Sequence, residues 1–304
     1  MSKSTPSGGS DTAPGQQGLV IANYGAFLDV EDEKGDIHRC VARKSAGNII
    51  CGDRVVWQPL DGGCVVERPL PRRTLLARVD SRGRTRPIAA NVDRIVIVSA
   101  PQPGIDEYLI DRFLVAAEHT GILPLLLVNK MDQLDGPARE ALERRLSLYR
   151  EIGYRLIFSS VRQKEGLKAL RAELRDRYSV FCGESGVGKS SLINALLPGA
   201  RARVSALSHA SGKGVHTTTT ARLYHLPEGG AIIDSPGVRE FGLGKLSAAE
   251  IARGFIEFRA YADQCRFRDC THRNEPGCAV IAAARRGEIS ERRLRSYHRL
   301  LEQV

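Results

Sequence analysis

The chain carries two short patterns in an inverted order. Asn129-Lys130-Met131-Asp132 comes first, and the glycine-rich run Gly183-Glu184-Ser185-Gly186-Val187-Gly188-Lys189-Ser190 comes later. In domains that use both, the glycine-rich loop opens the fold and the Asn-Lys-x-Asp follows it. The inversion leaves two outcomes. Either the elements are joined in a circularly permuted order around an unchanged site, or the two patterns never meet. The first outcome predicts both patterns at the carboxyl ends of parallel strands in one sheet, where ligands bind in open α/β folds.

The surroundings of both patterns fit that expectation. From about Ala89 the chain alternates strand and helix. Strands are predicted at 94–98, 122–128, 155–158 and 180–182, with helices at 105–119, 137–152, 165–177 and 190–197. This alternation predicts a mostly parallel sheet covered on both faces. Residues 221–234 read as strand, turn and strand.

Upstream, 18–71 reads as five short strands separated by Gly35-Asp36, Gly47-Asn48, Gly52-Asp53 and Asp61-Gly62-Gly63. That spacing fits a small OB-like β-barrel. The stretch 72–88 is a basic linker with Arg72, Arg73, Arg78, Arg82, Arg84 and Arg86, suited to phosphate contact or simply solvated. Residues 1–17 are polar and are expected to be a disordered tail or a short RNA-touching arm. They lack the apolar core of a signal peptide. The expected organisation is therefore multi-domain: the barrel, a central α/β phosphate-loop domain over 89–246, and a mostly helical C-terminal domain over 247–304. The last helix, 289–304, carries Arg292, Arg293, Arg295 and Arg299.

The formal charge of +10 over 304 residues points to a phosphate-rich partner, without separating RNA from DNA or anionic lipid. No apolar run is long enough to span a bilayer, so no membrane role is expected. The seven cysteines in a chain with no export signal argue against a disulfide framework. Cys40, Cys51, Cys64 and Cys182 sit in strand-like contexts and read as buried small hydrophobes.

The glycine-rich run follows a predicted strand and opens a predicted helix, the context a phosphate loop requires. Its glycines let backbone N–H groups turn toward phosphate oxygens, and the helix N-terminus adds positive potential. Lys189 can reach the β- and γ-phosphates, and Ser190 can offer a hydroxyl to Mg²⁺. Asp132 can accept the N1–H and N2–H₂ donors of guanine, a pair adenine lacks. Ser159 and Ser160, also after a strand, can border the same base.

Asp234-Ser235-Pro236-Gly237 follows another strand. Its carboxylate can hold a Mg²⁺-bound water and the Gly237 amide can sense a γ-phosphate. Between the two lies Gly212-Lys213-Gly214-Val215-His216-Thr217-Thr218-Thr219-Thr220, a switch-like segment in which Thr218 or Thr219 is the expected Mg²⁺ ligand. Ras-like enzymes place a water-orienting glutamine after the last glycine. Here Val238 stands there, so His216 is the candidate to orient water, with a structural or RNA-contact role as its rival reading. Slow intrinsic hydrolysis, accelerated by a partner, follows.

Cys265-x₄-Cys270-x-His272-x₅-Cys278 offers three thiolates and an imidazole, a tetrahedral Zn²⁺ set with no open position and hence a structural role.

In this order the motifs, with Pro87-Ile-Ala-Ala-Asn-Val-Asp93 and Asp234-Ser-Pro-Gly-Val-Arg-Glu-Phe241, closely resemble the ribosome small subunit-dependent GTPase A family from about Gly18 to the C-terminus. The resemblance implies an OB-fold, a circularly permuted GTPase domain and a zinc domain. It implies GTP hydrolysis stimulated by the small ribosomal subunit, a part in that subunit's late maturation, binding to ribosomal RNA and a cytoplasmic location. It implies GTP binding by 129–132 and 183–191, so that Ser191 joins the loop, and zinc binding by Cys265, Cys270, His272 and Cys278. A monomer is expected. Two alternatives stay open on the residues: a metabolic NTPase, and a non-catalytic RNA-binding module with a degenerate site.

Overall fold

The computed structural model describes residues 15–79, 83–198, 220–235, 238, 241, 244 and 246–303. Strands β1 (Gln16–Asn23), β2 (Leu28–Glu31), β3 (Ile37–Ala42), β4 (Arg54–Leu60) and β5 (Gly63–Pro69) form the N-terminal unit. Their order is β1-β2-β3-β5-β4, and β1 also pairs with β4, which closes the barrel. Alternation along the strands turns Val20, Val30, Val55, Trp57 and Val66 inward into one core. The strand begins at Gln16, inside the segment expected as tail, and residues 1–14 lie outside the described residues.

Two expectations about this region are corrected. Cys40 and Cys64 are joined as a disulfide, with Cα atoms 4.5 Å apart. Their strands β3 and β5 are parallel neighbours in the barrel, although the residues are far apart in sequence. The stretch 72–88 is not a plain linker. It contains a hairpin of β6 (Leu75–Val79) and β7 (Thr85–Ala90). Arg72 is spent on the buried Asp53, with Nε to Oδ1 at 2.7 Å, and Arg73 pairs with Asp93 at 2.9 Å. Cys51 and Cys182 are buried and free, as expected; burial pushes the Cys51 thiol up to about 12.

The central sheet contains β8 (Arg94–Ser99), β9 (Leu123–Val128), β10 (Arg155–Phe158), β11 (Tyr178–Cys182), β12 (Arg222–His225) and β13 (Ala231–Asp234), in the order β10-β9-β8-β11-β13-β12. All neighbours are parallel except β12 with β13. Helices α1 (Glu107–Thr120), α2 (Gly136–Glu151), α3 (Leu167–Leu174) and α4 (Lys189–Leu196) cover it. Successive β8 side chains divide the core: Ile95 and Ile97 join the cluster containing α1 and α2, and Val96 and Val98 join that of α3 and α4. Helix ends follow local chemistry. Asp106 caps α1 by accepting from the Tyr108 and Leu109 amides, and Asp135 caps α2 ahead of Pro137. The barrel and this sheet are continuous, because β1 pairs with β12 at Ala22 and Arg222.

The C-terminal part consists of α5 (Ala248–Gly254), α6 (Arg259–Ala262), α7 (Ala279–Arg285) and α8 (Glu291–Leu301). It packs on α1. A Cβ at Gly254 would lie 3.0 Å from the Val115 Cα, so only glycine allows this approach. The contact is fixed by Arg293, which is fully buried. Its guanidinium donates to Glu257 at 2.6 and 2.9 Å and to buried Asp111 at 2.7 Å, and it lies 4.4 Å from the Phe255 ring. Arg292 adds bonds to Asp111 at 2.8 Å and to the Tyr149 hydroxyl at 3.1 Å. The arginines of the last helix are thus split between the interior and solvent. Among the described residues no helix is long and apolar enough to cross a membrane.

Arg293→Ala strands two carboxylates in the interior. It is expected to destabilise the protein by about 3–5 kcal/mol, read as a lowered urea unfolding midpoint. A midpoint within error of the parent would show that the network contributes no stability.

Candidate nucleotide site

Both patterns reach the same edge of the sheet. Asn129 follows β9, and the glycine-rich loop joins β11 to α4. Asn129 is buried, and its Nδ2 donates to the Val187 carbonyl inside the loop at 3.0 Å. Its backbone N–H donates to Ser99 O at 2.8 Å, so β8 and β9 hold it from below. Gly188 has φ 94°, and a Cβ there would lie 2.4 Å from Asn129 Nδ2. Glycine is required both for that backbone conformation and for that contact.

Lys189 folds over the loop and donates to Gly183 O at 2.8 Å and to Glu184 O. Among the described residues no side chain caps the first turn of α4, which begins at Lys189 and includes Ser190 and Ser191. The arrangement of bent loop, ammonium and helix N-terminus is a cradle for phosphate oxygens.

On the base side, Lys130 adopts φ 62° and extends its Nζ to Gln102 O at 3.4 Å. Met131 points into the core, where it is 1% exposed, and contributes through its backbone N–H to Ser159 O at 3.1 Å. Asp132 accepts from the Ser160 hydroxyl at 2.5 Å, which orients the carboxylate. Ser159 is buried, and its hydroxyl lies 3.4 Å from Asn129 Oδ1. The serine pair therefore acts on the two polar residues of the first pattern. Sequence reasoning missed the turn after β8, where Gln102 meets Lys130 and Pro103 approaches Gly186. The signal was available as Pro101-Gln102-Pro103-Gly104 directly after a strand. From Glu184 an open cleft of about 660 Å³ runs along this turn to Arg145 and Arg292.

Asp234 ends β13, which neighbours β11 in parallel, so this residue stands at the same end of the sheet as the phosphate loop. Val238 is 2% exposed in the core, and Phe241 stacks on Phe113 of α1 at 6.3 Å. His216, Thr218, Thr219 and Gly237 lie outside the described residues.

Away from this edge, Cys265, Cys270, His272 and Cys278 bring their donor atoms within 4.8 Å of one another. The Cys265 Sγ lies 3.6 Å from His272 Nδ1 and 4.0 Å from Cys278 Sγ, and His272 Nδ1 lies 3.4 Å from Cys278 Sγ. Tetrahedral bonds of about 2.0–2.3 Å span edges of roughly 3.3–3.8 Å, and separations of 3.4, 3.6 and 4.0 Å lie near that range, so the group could hold a metal ion. Burial lowers the His272 pKa, which keeps the imidazole neutral and able to ligate. Burial pushes the Cys270 thiol up to about 12 and raises that of Cys278, so a divalent cation would supply the charge that three thiolates need. Glu275 accepts from the Thr271, Arg273 and Asn274 amides, and Tyr297 donates to Thr271 O at 2.6 Å, which shapes the ligand loop.

The strand order, with Asn129 and the glycine-rich loop meeting at one edge of the sheet, defines a phosphate-loop GTPase with circularly permuted elements. The RsgA GTPase family model matches residues 69–244. The chain is 52% identical to the small ribosomal subunit biogenesis GTPase RsgA of Azotobacter vinelandii, over 96% of this chain and 87% of that protein. It is 51% identical to the protein of that name from Pseudomonas aeruginosa, with the same coverage. Among solved structures, YjeQ from Thermotoga maritima matches with TM-score 0.80 and 32% identity over 95% of this chain and 98% of that one. YloQ, described as a circularly permuted GTPase, matches with TM-score 0.77 and 27% identity over 97% and 96% of the two chains. The chain belongs to the RsgA GTPase family, and it is a GTP hydrolase.

Asp132→Asn replaces one acceptor-only carboxylate oxygen with a donor amide. It is expected to lower the preference for GTP over xanthosine triphosphate by roughly 100-fold or more, measured by competition binding; an unchanged preference would remove Asp132 from base reading. Treatment with a chelator, or Cys278→Ser, is expected to lower the thermal midpoint, with restoration by added Zn²⁺ for the unsubstituted chain. A melt insensitive to chelator would mean that the Cys/His group is held by packing alone.

Proposed function

We propose that this chain hydrolyses GTP on the small ribosomal subunit, is stimulated by it and assists its late maturation. The observation that carries the reading is the Asn129–Val187 bond, which supports one composite guanine and phosphate site despite the inverted motif order. The names of the relatives supply the subunit, and the net charge of +10 suits its ribosomal RNA. The chain acts in the cytoplasm as a monomer.

In this reading Asn129, Lys130, Asp132, Ser159 and Ser160 form the guanine side, with Met131 acting through its backbone. Residues 183–191 wrap the phosphates. Water attacks the γ-phosphorus, the bridging P–O bond breaks toward GDP, and Lys189 offsets charge on the β- and γ-oxygens. Mg²⁺, a hard cation, would be held by Ser190 with Thr218 or Thr219, and would neutralise charge between the phosphates. Asp234 would accept from a water on that ion, Gly237 would sense the γ-phosphate and His216 would orient the attacking water. Cys265, Cys270, His272 and Cys278 hold one structural Zn²⁺, the soft-donor set that ion favours.

GTP turnover is expected to rise at least about tenfold when purified small subunits are added. Turnover indifferent to subunits would overturn the assignment of partner.

A further inference from the structure

One transverse row of residues crosses from the barrel into the nucleotide site. Asp29 on β2 faces Ala22 on β1, Ala22 faces Arg222 on β12, and Arg222 faces Asp234 on β13. Asp234 is the carboxylate at the phosphate edge. Arg222 also follows Thr220, the last residue of the switch-like segment, with one residue between them. A side-chain clasp reinforces the row. The Arg222 Nη1 donates to the Tyr24 hydroxyl at 2.6 Å and lies 3.6 Å from Asp29 Oδ2. The Tyr24 hydroxyl donates to Asp29 Oδ2 at 3.3 Å, and Arg39 holds the other carboxylate oxygen at 3.1 Å. Asp29 is 4% exposed, so its charge needs these partners. A second contact, His225 to Glu31 at 2.7 Å, ties the far end of β12 to β2. The loop joined by this clasp bears Tyr24 and Phe27, which are 45% and 48% exposed.

We propose that Arg222 is a positioning residue that couples the barrel's first loop to the nucleotide state. A shift of β12 on exchange of GDP for GTP moves the Arg222 guanidinium against Tyr24 and Asp29, and so changes the set of the loop between β1 and β2. Linkage makes the effect reciprocal in binding: a partner that engages Tyr24 and Phe27 changes the relative affinity for the two nucleotides by the same factor. This rests on the proposed function for the identity of the nucleotide and partner; the clasp itself is a property of the chain.

The test is hydrogen exchange of the amides of residues 23–29 in the full chain, saturated with GDP or with a non-hydrolysable GTP analogue. The parent is expected to show a rate difference of at least about fivefold, the lower end of ordinary coupling. Arg222→Ala and Tyr24→Phe are expected to abolish most of it while both nucleotides still bind. Equal rates in the two states of the parent would overturn the proposal. So would variants that keep the full difference, or an Arg222→Ala that speeds exchange equally in both states, the mark of a merely structural contact. Tyr24→Phe removes one hydroxyl at a half-exposed position and decides the matter if Arg222→Ala does not fold. With small subunits added, Arg222→Ala is expected to lose at least about fivefold in stimulated turnover and to keep its unstimulated rate. If subunits do not stimulate the parent, the partner assignment fails, and the exchange difference still decides the coupling.

Discussion

A single buried hydrogen bond, from the Asn129 amide to the Val187 carbonyl, makes one site out of two distant stretches of chain. It crosses from the loop after β9 to the loop after β11, at the edge where every parallel strand ends. Everything at the site is arranged around it. Gly188 must lack a side chain to let the amide in, the Ser159 hydroxyl lies at the amide oxygen, and Ser99 holds its backbone. A buried polar side chain of this kind must be satisfied, so the loop and the segment Asn129–Asp132 cannot drift apart without leaving donors unpaired.

The two outer units are attached by different physics. The barrel joins through a short β1–β12 ladder, through charges around Asp29 and Glu31, and through the main core, where Ile21 and Cys51 join the cluster of Leu76 and Ile88 and the buried Asn91 amide donates to Gly52 O at 2.8 Å. Of those charges Asp29 is buried, while Arg39 and His225 face solvent. The C-terminal helices are locked by Arg293, whose charge is balanced in the interior by Asp111 and Glu257. Breaking that contact is costly. The barrel is the side attached, through Ala22 and Arg222, to the strand that follows the switch-like segment.

Much was legible in one dimension because it depends on local pattern. Alternating apolar residues revealed the barrel strands, the β8 run Ile95 to Val98 marked a buried strand, and the Cys/His spacing anticipated a group whose donors converge. The hairpin of β6 and β7 was hidden by its arginines, which read as a solvated linker. Arg72 and Arg293 look alike in sequence to any RNA-contacting arginine, yet each is spent on a buried carboxylate from a distant segment. The Cys40–Cys64 pair was misread for the same reason: only barrel closure brings β3 beside β5.

Residue order alone carried the permutation, the ligand class and the metal-binding set, since each depends on which chemical groups stand at short fixed spacings. Closure of the barrel, burial of the arginines and the row from Asp29 to Asp234 were settled by packing. They depend on long-range register, in which a shift of one residue would turn every side chain to the opposite face.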